Sequence, residues 1–125
     1  MALLKPGAVL GEIYDTVMED FDPYYEKMFM NGGRFLGHSI GMCMDEIPVI
    51  AGGVKDRVEE NMVFAVEPKI ALPGLGMVGT ENTYRIGPEG PVCLTGESHA
   101  SCGLSVDFPG VTEMVNNRIK LVWES

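Results

Sequence analysis

Residues 62–86 read as one antiparallel hairpin, and no other stretch limits the fold as much. The lead-in Met62-Val63-Phe64-Ala65-Val66 is rich in the branched and aromatic residues that suit a pleated surface. Pro73-Gly74 with Gly76 marks the turn, because proline presets φ and glycine accepts positive φ. Residues 77–86 run back. With Gly74 at the centre, residues whose numbers sum to 148 face each other, so Glu67 faces Glu81. Directly opposed Cβ atoms lie only about 4.5–5.5 Å apart, and like charges there destabilise a sheet. Two carboxylates so placed call for a shared proton or a cation.

Upstream, Ile13, Val17, Phe21, Tyr24 and Met28 recur at helical spacing, following a turn at Lys5-Pro6-Gly7-Ala8. Asp22-Pro23 interrupts the pattern, since aspartate caps a helix and proline suits its first turn, so a kink or two helices are expected. Asn31-Gly32-Gly33 ends the helical region. A short extended piece follows at 35–40, with His38 between Gly37 and Gly41. Glycines in such positions let other backbone or a bound ion approach closely. Residues 42–50 read as irregular, 54–61 as a charged surface turn, and 92–95 as a further short strand. Val111, Met114, Val115, Ile119 and Val122 predict a C-terminal amphipathic helix starting near Thr112. The pattern as a whole predicts an α+β fold: an antiparallel sheet with helices on one face. Residues 1–95 are expected to form its main unit, with 96–125 a divergent tail.

A chain of 125 residues suggests one domain with a modest core. The net charge of −9 speaks against a phosphate-backbone partner, which needs a basic footprint. No apolar run approaches the roughly 20 residues that span a bilayer, and the apolar part of the N-terminus is short for a signal peptide. Cys43, Cys93 and Cys102 are odd in number and lack C-x-x-C spacing, which reads as free thiols in a reducing cytoplasm. The expected location is therefore cytoplasmic, with neither nucleic acid nor membrane as partner.

His38, Glu67 and Glu81 are the candidate metal ligands. An imidazole with two carboxylates suits a divalent ion such as manganese, iron, cobalt or zinc, which acidifies bound water towards neutral pH. Singly, each has a plainer reading: a hydrogen-bonded structural histidine, or a glutamate facing solvent at a strand edge. Their joint placement favours the metal.

These residues resemble a known family. G-H-S-I-G at 37–41, V-E-P at 66–68 and P-G-L-G-M-V-G-T-E-N-T at 73–83 look like the C-terminal half of the pita-bread metallopeptidases. That family includes methionine aminopeptidase, Xaa-Pro aminopeptidase, prolidase and creatinase. The resemblance runs from about residue 5 to residue 95, and the order and spacing of the elements make it specific. It implies half of a pita-bread fold, a two-metal site and hydrolysis of a peptide or amide bond at a substrate's N-terminus. His38, Glu67 and Glu81 would then be ligands, with Glu81 bridging and Glu67 also relaying protons.

Two features depart from the family's pattern. Its remaining ligands are two aspartates on a hairpin preceding the region that aligns here. The family's peptidases also carry a His-Glu pair before the proline, where this chain has Asp45-Glu46. An ionised carboxylate cannot donate to an oxyanion, so Asp45 would give the reaction a different character. The first expectation is a metal-dependent hydrolase that is incomplete or weakly active alone, completed by a missing N-terminal half or by a homodimer. The alternatives are a degenerate peptidase-like binding module and a non-peptidase relative, such as a creatinase-like enzyme or a lyase.

Overall fold

The computed structural model describes residues 2–74 and 76–95. Helix α1 spans Leu10–Glu19 and α2 spans Pro23–Glu26, followed by a 3₁₀ turn at Met30–Gly32. Asp22 caps α2 by accepting a hydrogen bond from the Tyr24 amide at 2.9 Å, with Pro23 in the first turn. The expected interruption at Asp22-Pro23 is thus a true break between two helices. Seven strands follow among the described residues: β1 Phe35–Ser39, β2 Glu46–Ala51, β3 Val63–Val66, β4 Lys69–Leu72, β5 Gly76–Gly79, β6 Asn82–Gly87 and β7 Gly90–Cys93. Five of them form an antiparallel sheet in the order β2-β1-β3-β6-β7, and β4-β5 form a separate ribbon.

The register of the central hairpin is the one its turn predicts. Val63 pairs with Arg85 and Val66 with Asn82 in the large sheet. Lys69 pairs with Gly79 and Leu72 with Gly76 in the ribbon. Each pair sums to 148, so one register runs from the sheet to the hairpin tip. The ladder is nevertheless broken between the two sheets, at 67–68 and 80–81. Pro68 has no amide hydrogen to give, and the Glu67 amide instead donates to the Leu36 carbonyl of β1 at 2.9 Å.

Strand alternation sorts the large sheet into two faces. Phe64 and Val66, with Tyr84 and Ile86 on β6, join Leu10, Ile13, Tyr14 and Val17 of α1 in one buried cluster. His38 pairs with Ala65, and Ala65 with Thr83, so these three share the opposite face. Two-residue steps from Ala65 and Thr83 carry that face to Glu67 and Glu81. The helix-covered face holds the core, and the candidate ligands are on the other.

Two stretches differ from their sequence-based expectation. Residues 46–51, expected to be irregular, form the edge strand β2. Its register jumps from His38↔Val49 to Ser39↔Glu46, leaving Ile47 and Pro48 outside the ladder. That bulge hides the alternation on which a strand is recognised. Residues 54–58, expected to be a plain surface turn, run alongside the start of α1. Gly7, Leu10 and Gly11 donate to Val58, Asp56 and Val54, Val58 donates back to Ala8, and the Val58 side chain is 1% exposed. The expected C-terminal helix and Cys102 lie outside the described residues. The last strand ends at Cys93 and not Thr95.

Candidate metal centre

His38 stands near the end of β1, where the sheet admits very close strand approach. A Cβ on the neighbouring Gly37 would collide with the Ala65 carbonyl of β3, so the expectation of tight backbone contact beside His38 holds at this glycine. His38 is buried, at 8% exposure. Its Nδ1 lies 3.0 Å from the Ser39 carbonyl oxygen. A carbonyl can only accept, so Nδ1 carries a hydrogen, and whenever the ring is neutral its lone pair is at Nε2. This is the tautomer in which a metal-binding histidine is held by a backbone acceptor.

Nε2 faces two carboxylates. Asp45 Oδ1 lies 3.0 Å away and Glu67 Oε1 3.6 Å away. A lone pair turned to carboxylate oxygens is repulsive unless a proton or a cation joins them. Glu67 also meets a third group: its Oε2 receives the ammonium of Lys69. Glu67 and Lys69 lie two residues apart on extended chain and so share a face. The Glu67 carboxylate is therefore held on one oxygen by Lys69 and turned to the imidazole with the other.

Asp45 comes to the site from the loop between β1 and β2. That loop is shaped by Glu46, whose Oε1 accepts from the Cys43 amide at 2.7 Å and whose carbonyl accepts from Ser39 Oγ at 3.0 Å. The Asp45 side chain is 74% exposed, so it rims the site from the solvent side. Glu81 occupies the register position opposite Glu67 but is exposed, and among the described residues it forms no ion pair with His38 or Lys69. Next to it, Thr80 Oγ1 is buried without a hydrogen-bond partner.

The structure thus gathers His38, Glu67 and Asp45, while Glu81 is exposed at the register position opposite Glu67. Among the described residues no three His, Cys, Asp or Glu side chains are arranged to hold an ion. Two donors do suit one: the free lone pair of His38 Nε2 and the facing oxygen of Glu67, with the orphaned Thr80 hydroxyl close by in sequence to Glu81. In donor chemistry the residues fit a divalent cation as part of a larger ligand set. Sequence reasoning missed Lys69 and Ser39. Lys69 could have been found from its spacing to Glu67. Ser39 acts through its backbone carbonyl, which leaves no trace in residue type.

Comparison with known proteins bears on the family and the fold. The model of metallopeptidase family M24 matches residues 1–88. The Xaa-Pro dipeptidase of Pyrococcus furiosus is 34% identical over 92 residues, covering 73% of this chain and 26% of its own length. The methionine aminopeptidase of Aquifex aeolicus is 30% identical over 88 residues, covering 66% and 31% respectively. The solved prolidase from Pyrococcus furiosus superposes with a TM-score of 0.66 at 33% identity, over 75% of this chain and 27% of that one. The chain therefore spans between a quarter and a third of the length of these relatives, and its sheet and helix are consistent with half of a pita-bread fold.

Proposed function

The chain belongs to metallopeptidase family M24, and from that premise we propose that it forms the C-terminal half of a divalent-metal hydrolase acting at the N-terminal end of small peptides. The observation that carries this reading is the buried His38 imidazole, held at Nδ1 by the Ser39 carbonyl and turned at Nε2 to the carboxylates of Asp45 and Glu67. His38 and Glu67 would hold the ion, with Glu81 as a further ligand. Manganese, cobalt, zinc and iron all suit such donors. When bound, the metal supplies a Lewis acid and an acidified water.

The chain's own residues do the rest. The Ser39 carbonyl keeps the proton on Nδ1 and so keeps Nε2 a donor of electrons. Glu67, whose side chain is 13% exposed, would accept a proton from the attacking water and return it to the leaving amine. Asp45 stands at the exposed rim, where a carboxylate attracts the free ammonium of a peptide N-terminus. That gives Asp45 a role in holding substrate, in place of oxyanion stabilisation.

The 125 residues hold three ligand candidates, and the family's aspartate pair is not among them. Full activity then needs a second contribution: an N-terminal half, or a second copy of this chain in a homodimer. Turnover of Xaa-Pro dipeptides and Met-initiated peptides by the chain alone, with added manganese or cobalt, tests this. Negligible hydrolysis is expected, and robust turnover would overturn the need for a second half.

A second reading is favoured by the ion pair on Glu67, which leaves that carboxylate neutralised without any metal. In it the chain is a peptidase-like binding module with no catalysis. Elemental analysis after incubation with manganese separates the two. Bound metal supports the hydrolase, and none supports the module.

A further inference from the structure

We propose that Lys69 is a resident cation of the site, one that competes with the divalent ion for Glu67. The inference rests on the reading of Glu67 as a ligand and goes beyond it, by assigning a role to a residue that the ligand set does not include.

Three observations carry it. Lys69 follows Glu67 by two residues at the start of β4, so both side chains leave the same face. The Lys69 ammonium sits on Glu67 Oε2 while Oε1 faces His38. Opposite Lys69 in the ribbon is Gly79, and a Cβ there would collide with the Lys69 stem and the Pro68 carbonyl. The bare Gly79 leaves the room through which the lysine stem lies against the chain. Lys69 is only 33% exposed in its side chain and Glu67 13%, so the pair is shielded enough for its charge to matter.

The physical consequence follows from charge alone. Glu67 shares the His38 imidazole with the Asp45 carboxylate, and Glu81 holds the matching position across the break in the ladder. An ammonium on Glu67 relieves the repulsion among these carboxylates when no metal is present. A divalent ion must then bind beside a fixed positive charge and win one oxygen from it. Two cations sharing one carboxylate weaken each other reciprocally. Lys69 thereby stabilises the metal-free site and lowers its affinity for metal.

Manganese binding by calorimetry tests this on the full chain, comparing wild type with Lys69→Met, Lys69→Gln, Lys69→Arg, Glu67→Gln and the double variant Lys69→Met/Glu67→Gln. Circular dichroism establishes which variants fold. Lys69→Met and Lys69→Gln should each bind manganese about tenfold more tightly than wild type. Lys69→Arg, which keeps the charge, should stay near wild type, and a merely structural lysine would not produce that split. The gain should vanish in the double variant. Should Lys69→Met fail to fold, Lys69→Gln gives the same readout. Equal or weaker affinity in the neutral variants overturns the proposal, and so does undetectable binding in all chains. Loss of affinity in Glu67→Gln without a gain in Lys69→Met or Lys69→Gln overturns the role of Lys69 alone. Unchanged affinity in Glu67→Gln overturns the ligand reading itself, and the Lys69 proposal falls with it.

Discussion

His38 Nε2 lies 3.6 Å from Glu67 Oε1, although His38 belongs to β1 and Glu67 follows the end of β3, far from it in sequence. The pairing of β1 with β3 makes this contact. His38 stands opposite Ala65, and Glu67 is the next residue on the same face. If these two groups are ligands, His38→Ala should reduce manganese affinity at least about tenfold, as losses in metal shells commonly do. The fold should persist, because His38 lies on the face away from the helix-packed core. Calorimetry with circular dichroism on the same sample checks both parts, and a variant that binds as well as wild type would remove His38 from the ligand set.

The strand approach beside His38 makes its own prediction. Gly37→Ala puts a methyl group into the Ala65 carbonyl, which is backbone and cannot turn aside. The expected loss is about 1–3 kcal/mol, the usual range for overpacking a tight site. Urea unfolding at neutral pH measures it. A loss below about 0.5 kcal/mol, the size of an ordinary surface change, would mean that β1 and β3 are not this close.

Asp45 should matter little to folding. Its side chain is 74% exposed, and ion pairs at such positions contribute about 0–1 kcal/mol. Asp45→Asn is expected to shift stability within that range in thermal melts, while raising KM for peptides with a free N-terminus in a completed enzyme. Unchanged KM would remove the substrate-holding role given to Asp45.

Tyr84 sets an alkaline limit. Burial raises its phenol pKa above the ordinary value of 10.0, and the charge of Cys93 opposite it on β7 and their hydrogen bond raise it further. The folded protein therefore keeps the Tyr84 proton at pH values where the unfolded chain has lost it. The contribution is fully present below about pH 10 and is lost progressively as pH rises from there towards the folded pKa. Tyr84→Phe should flatten that alkaline decline in urea midpoints measured from pH 9 upward. An identical decline in the variant would assign it to other groups.

Much of this was legible before any coordinates. The turn at Pro73-Gly74 determines the number-sum 148 pairing, because a tight turn sets the register of both arms and alternation then sets the faces. Asp22-Pro23 marks the helix break by local backbone chemistry alone. Edge strand β2 was not legible, since its bulge interrupts the two-residue period. Val58 was not either, because its burial comes from α1, far away in sequence.

The opposed glutamates show where the boundary lies. The residues by themselves determined that Glu67 and Glu81 occupy matching positions on one face, a consequence of turn geometry and strand period. They also determined the family, through G-H-S-I-G, V-E-P and T-E-N-T in order. Only the tertiary structure decided which groups meet Glu67. Pro68 breaks the ladder there, β1 brings the imidazole, the β1–β2 loop brings Asp45 to that imidazole, and Gly79 makes room for Lys69. Side-chain charge depends on what is within a few ångströms, and for Glu67 those neighbours are His38, from a distant strand, and Lys69, two residues along its own segment.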